Sequence, residues 1–111
     1  MQILDRLYQL IAKRRDERPK DSYVVSLLAG GWDLMAAKLR EESEEVVEAA
    51  RSENDDALTH EIADLIFHLW VMMAARGIEP SAIYAELEGR FGIGGLEEKA
   101  ARLAQHEVPR P

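Results

Sequence analysis

The run Leu65-Ile-Phe-His-Leu-Trp-Val-Met-Met-Ala-Ala75 restricts the fold more than any other part of the chain. Wound as a helix it is apolar on every side, so it has no face to offer water and needs cover all round. It is too short to cross a bilayer as it stands. The whole chain is 47% hydrophobic and 32% charged, and Ala, Leu, Glu and Arg far outnumber strand formers, so an all-α helical bundle is expected. A chain of 111 residues makes one domain, 1–111, with a loose tail from about residue 106. So few helices can hardly wrap another completely, and the simpler account is a homodimer, or a higher oligomer, whose second subunit completes the bundle. The alternative is that the N- and C-terminal helices alone supply the cover.

Periodicity and capping residues divide the chain. Ile3, Leu4, Leu7, Leu10 and Ile11 mark an amphipathic helix over residues 2–16, followed by the polar stretch KRRDERPKD. Asp21 or Ser22 caps a short helix through Leu28, which Gly30 and Gly31 end. A third helix runs from about Asp33 to Arg51, with Met35, Leu39, Val46 and Ala50 as its apolar stripe and Glu41, Glu44 and Glu48 on the far side. The turn Ser52-Glu53-Asn54-Asp55 leads to the fourth helix, about 56–76, closed by Gly77. Pro80 and Ser81 open a fifth helix to about Arg90, and Gly94-Gly95 separate a last one beginning at Leu96.

Several function classes are disfavoured by composition. The chain has no cysteine, so disulfides and thiolate chemistry are excluded and any metal must be held by oxygen or imidazole. A net charge of −7 argues against a protein that wraps nucleic acid. The start MQILDRLYQL has neither the basic beginning nor the apolar core of a secretory signal, so a cytoplasmic location with no membrane partner is expected.

Chemistry points to two acid pairs, Glu42-x-x-Glu45 on the third helix and Glu61-x-x-Asp64 on the fourth. Each spacing puts both carboxylates on one helix face, about 60° apart around the axis. In an antiparallel hairpin folded about Glu53, Glu42 lies level with Asp64 and Glu45 level with Glu61, so four carboxylates converge. Bordering apolar positions, they cannot all stay ionised unaided, and a divalent cation relieves the repulsion. Oxygen-only ligands suit Mg²⁺, with Mn²⁺ possible. Glu41, Glu44 and Glu48 read as an ordinary solvated face. A di-iron bundle would need Glu-x-x-His motifs, but Ala57, Leu65 and Leu103 stand three residues before His60, His68 and His106. His68 shares the face of Asp64 and is either a satisfied core histidine or a neighbour of the site. Phosphate would need cations, for which Lys38 on the acid-bearing face, the Lys13-Arg14-Arg15 cluster, and Lys99 with Arg102 are available. Phe91-Gly-Ile-Gly-Gly follows no strand and reads as a helix break rather than a nucleotide loop.

In order and spacing, Ser22-Tyr23 with LLAGG, Lys38-Leu-Arg-Glu-Glu-Ser-Glu-Glu-Val, Glu61-Ile-Ala-Asp-Leu-Ile-Phe-His, Ala75-Arg-Gly-Ile and Gly95-Leu-Glu-Glu-Lys-Ala-Ala-Arg102 resemble the phosphoribosyl-ATP pyrophosphatase family. The acid motifs alone match the wider MazG-like all-α nucleotide pyrophosphohydrolase superfamily. The resemblance covers about residues 3–102 and implies a magnesium-dependent homodimeric hydrolase that converts 1-(5-phosphoribosyl)-ATP to 1-(5-phosphoribosyl)-AMP and pyrophosphate, the second step of histidine biosynthesis. It implies Glu42, Glu45, Glu61 and Asp64 as metal ligands, with Glu42, Glu45 and Lys38 taking part in catalysis. The substrate contacts expected with it are Lys38, Ser22, Tyr23, Lys99 and Arg102. Two other readings stand beside it: a house-cleaning pyrophosphohydrolase of the same superfamily, and a non-enzymatic helical dimerisation module whose acids are merely solvated.

Overall fold

In the computed structural model, residues 2–92 and residue 103 are described. They form five helices: α1 (Gln2–Glu17), α2 (Tyr23–Ala29), α3 (Gly31–Ser52), α4 (Asp55–Arg76) and α5 (Pro80–Phe91). No strand occurs among the described residues, so the all-α expectation holds. The chain divides into two compact units, Met1–Pro80, which contains α1 to α4, and Ser81–Pro111, which takes in the rest of α5.

Local chemistry sets the helix ends. Ser22 is the N-cap of α2, its hydroxyl accepting from Val25 N at 3.3 Å, so Ser22 and not Asp21 fills that role. Asn54 caps α4 in the same way, its side chain accepting from Ala57 N at 2.9 Å. Gly77 closes α4 in the left-handed region at φ 73°, with Gly77 N bonded to Ala74 O and Ile78 N to Met73 O, so two carbonyls of the last turn gain backbone donors. Helix α3 begins at Gly31 rather than at Asp33, which lies in its first turn and complements the helix dipole. At the junction, a Cβ on Gly30 would lie 2.2 Å from a Leu34 side-chain carbon, and Gly31 has φ +73°, so small residues let α2 pass directly into α3.

Only Glu53 and Asn54 separate α3 from α4, and the two long helices pack against each other as an antiparallel hairpin, the most extensive helix pairing in the first unit. Helix α1 covers the C-terminal half of α4, where Trp70 Nε1 donates to Leu4 O at 2.9 Å and an Arg15 guanidinium nitrogen donates to Ala74 O at 2.7 Å. Tyr8, Ile11, Val24, Leu27, Met35, Ala49, Trp70, Val71 and Ala74 make the buried core.

Three expectations about burial change. Ile3 and Leu10 of the α1 stripe are exposed, and Tyr8 takes a buried place, because α1 turns the Tyr8–Ile11 edge toward α2 and α4. On α3, Ala49 is buried and Ala50 exposed, a rotation of one position about the axis. Trp70 is covered by its own chain through α1 and does not wait for a partner subunit. Helix α4, longer than its apolar run, is long and apolar enough to cross a membrane. It starts with Asp55 and Asp56, carries Glu61 and Asp64, and packs on α1, α2 and α3, as the central helix of a bundle does.

Candidate active site

The hairpin brings acids from both helices to one place. Carboxylate oxygens of Glu42, Glu45 and Glu61 all lie within 4.8 Å of one another, and the same limit holds for ligand atoms of His60, Glu61 and Asp64. Glu61 belongs to both groups and joins the α3 acids to the rest of the α4 set. Glu42 faces into the seam with 13% of its side chain exposed, Glu61 and Asp64 are half-buried, and Glu45 is exposed at the rim. Glu41, Glu44 and Glu48 face water.

Buried oxygens make this cluster different from an ordinary acidic surface. Oε2 of Glu42 and Oε2 of Glu61 are both inaccessible and have no hydrogen-bond partner among the described residues. An unpaired carboxylate oxygen out of water is strongly disfavoured when charged. Burial therefore pushes the Glu42 carboxyl up to about 7, helped by hydrogen bonding to Glu45 and by the charges of Glu45, Asp64 and Glu61. Glu61 is raised for the same reasons: burial first, then Glu45 and Asp64. Two orphaned oxygens aimed into one cluster of hard donors fit a divalent cation, which would satisfy both and remove the repulsion.

Around the acids, the structure places the other expected residues unevenly. Lys38 stands one turn from Glu42, but its Nζ lies 3.5 Å from Glu41 Oε2 on the outer side. Ser22 is buried and uses its hydroxyl to cap α2, so its contribution is to hold the start of that helix. Tyr23 is half exposed, with its ring stacked on Phe67 and edge-on to His68. Lys99 and Arg102 lie outside the described residues. Lys13 pairs with Glu17, and Arg15 binds Asp16 and Ala74 O, so this cluster meets α4 about 15 Å along the axis from Asp64.

Two histidines gain places that the sequence left open. His60 Nε2 lies 3.3 Å from Asp64 Oδ2, and its four-residue spacing from Asp64 was the available signal. His68 is both a core residue and a neighbour of the site: it is 7% exposed, and its Nε2 lies 3.7 Å from Glu42 Oε1. Burial depresses its basicity and favours the neutral ring.

The geometry describes a small helical bundle with a carboxylate cluster, and comparison with known proteins places it. The sequence model of the family described as phosphoribosyl-ATP pyrophosphohydrolase matches residues 4–91, the whole acid-bearing hairpin included. This chain belongs to the phosphoribosyl-ATP pyrophosphohydrolase family. It is similar to a phosphoribosyl-ATP pyrophosphatase of Trichlorobacter lovleyi, 47% identical over 90% of this chain and 93% of that one. A phosphoribosyl-ATP pyrophosphatase of Erythrobacter litoralis is 48% identical over 92% of this chain and 98% of its own length. One from Methylococcus capsulatus is 42% identical over 92% and 97%. In this pyrophosphohydrolase family member, the part suited to a metal ion is the pair of acid groups sharing Glu61.

Proposed function

We infer that this chain hydrolyses 1-(5-phosphoribosyl)-ATP to 1-(5-phosphoribosyl)-AMP and pyrophosphate in histidine biosynthesis, with Mg²⁺ held among Glu42, Glu45, Glu61 and Asp64. The reading is supported by family membership over residues 4–91 together with one observation, the two buried and unpartnered oxygens of Glu42 and Glu61 inside an oxygen-rich cluster. Bound there, magnesium supplies neutralisation of polyphosphate charge and makes a water molecule more acidic.

The chain's own groups do the rest. Glu42 and Glu45 lie on one face of α3, and whichever carboxylate is less committed to the cation accepts the proton of the attacking water. The water oxygen bonds to phosphorus at the internal anhydride, and the bridging oxygen departs with pyrophosphate. Lys38, 35% exposed and paired with Glu41 on the outer side, can exchange that partner for a phosphate oxygen. Tyr23, and Lys99 with Arg102, complete the proposed substrate contacts, while Ser22 serves by capping the helix that presents Tyr23. Neutral His68 beside Glu42 adds no charge to the cluster.

The whole chain acts as one domain and as a cytoplasmic homodimer in this reading. Support for the dimer comes from the apolar residues left at the surface of the hairpin, Val47 on α3 and Ile62 and Leu69 on α4, which are 46%, 42% and 38% exposed. The deciding experiment is release of pyrophosphate from phosphoribosyl-ATP beside a panel of free nucleoside triphosphates, each with and without Mg²⁺. Preference for phosphoribosyl-ATP supports the assignment. Preference for the free triphosphates transfers it to the house-cleaning activity.

A further inference from the structure

Next to the acids lies a cluster of rings that anhydride hydrolysis does not itself require. Tyr23, the first residue of α2, stacks on Phe67 of α4 with centroids 5.9 Å apart and planes inclined by 14°. His68 meets both edge-on, 5.9 Å from Tyr23 and 5.3 Å from Phe67. These separations lie in the favourable range for offset stacks and T-shaped pairs. The Ser22 cap and the buried Val24 and Leu27 fix α2 in place, so the Tyr23 ring is held from below while 51% of the residue stays exposed.

We propose that the exposed face of Tyr23 is the seat of the purine base of the substrate. The proposal rests on the phosphoribosyl-ATP reading and adds a base subsite to it. Only one imidazole separates the Tyr23 ring from the acids, since His68 touches the ring and also lies 3.7 Å from Glu42. A nucleotide whose phosphates sit at the carboxylates thus brings its base to the aromatic step beside them. The substrate's base, an adenine substituted at N1, meets no repulsion from the acids, and a ring already ordered by two neighbours loses little freedom on stacking. Trp32, also half exposed, lies in the first turn of α3 ten residues before Glu42, about 15 Å away along the axis. It is the worse placed of the two rings.

The test compares two probes in the presence of Mg²⁺: AMP, which carries a base, and inorganic pyrophosphate, which does not. Tyr23→Leu is expected to weaken inhibition by AMP about tenfold, to raise KM for phosphoribosyl-ATP similarly and to leave kcat within about twofold, with pyrophosphate inhibition unchanged. Tyr23→Phe keeps the π-face and retains parental values. Parental AMP inhibition in Tyr23→Leu overturns the proposal, as does equal weakening of AMP and pyrophosphate, which reports a disturbed site rather than a lost stacking partner. In the unmutated chain, nuclear Overhauser contacts from AMP H2 and H8 to the Tyr23 ring are expected, and contacts to another aromatic ring alone also overturn it. That measurement needs no turnover, so a chain inactive on phosphoribosyl-ATP would sink the substrate assignment while leaving the base subsite separately decided.

Discussion

His68 Nε2 lies 3.7 Å from Glu42 Oε1, an imidazole and a carboxyl both almost out of water at 7% and 13% exposure. Neither is comfortable charged: the same burial lowers the basicity of the ring and raises that of the carboxyl. Without a cation, the inner end of the acid cluster is therefore poised to carry a proton near neutral pH.

A pH-dependent stability follows. In the folded chain Glu42 holds its proton to about pH 7, against an ordinary value of 4.5, so folding takes up a proton between these limits. Stability contributed there is present at low pH, falls as pH rises from about 4.5 to about 7, and stays lost above. Glu61 acts in the same sense, whereas His68, depressed by burial, loses stability as pH falls below its ordinary 6.5. Glu42→Gln separates the terms. In chelator, the melting temperature of the parent minus that of the variant should decline across that window, and a constant difference would refute the assignment.

Mg²⁺ should raise the melting temperature at pH 7.5 by an amount set by its concentration relative to its affinity. Glu61 belongs to both acid groups, so Glu61→Gln should largely abolish the rise. A titration that leaves parent and variant alike would count against the metal site.

Glu45→Gln and Asp64→Asn should release pyrophosphate from phosphoribosyl-ATP at least about a hundredfold more slowly, the scale of a lost metal or proton-transfer function. Each replacement keeps shape and relieves repulsion with Glu42 and Glu61, so neither should melt below the parent in chelator. Near-parental turnover at saturating Mg²⁺ in both would remove the four-carboxylate mechanism.

Trp70→Phe deletes the indole donor to Leu4 O that ties α1 to α4. Losing that bond and some packing should cost about 1–2 kcal/mol in denaturant unfolding, with the KM for substrate unchanged. Unaltered stability would show that the contact contributes little.

Light scattering at micromolar concentration should give a dimer mass for the parent, and Leu69→Glu, on the exposed side of α4, should shift it toward the monomer. A monomeric parent would end the dimer proposal.

Helix ends were legible because capping is local: Ser22, Asn54 and Gly77 act within a few residues of themselves. The acid pairs were legible too, since helical periodicity and a two-residue turn place Glu42 and Glu45 opposite Glu61 and Asp64. The orientation of α4 was not, because a helix apolar on every side carries no moment to say which face is covered, and it was α1, through Leu4 and Arg15, that made the choice. Nor could spacing distinguish Glu42 from Glu45, which differ by less than a turn. Sequence alone determined that acids from two helices would meet. Tertiary packing decided that Glu42 turns inward against His68 while Glu45 stays at the rim, because desolvation depends on neighbours from other helices and not on position along one.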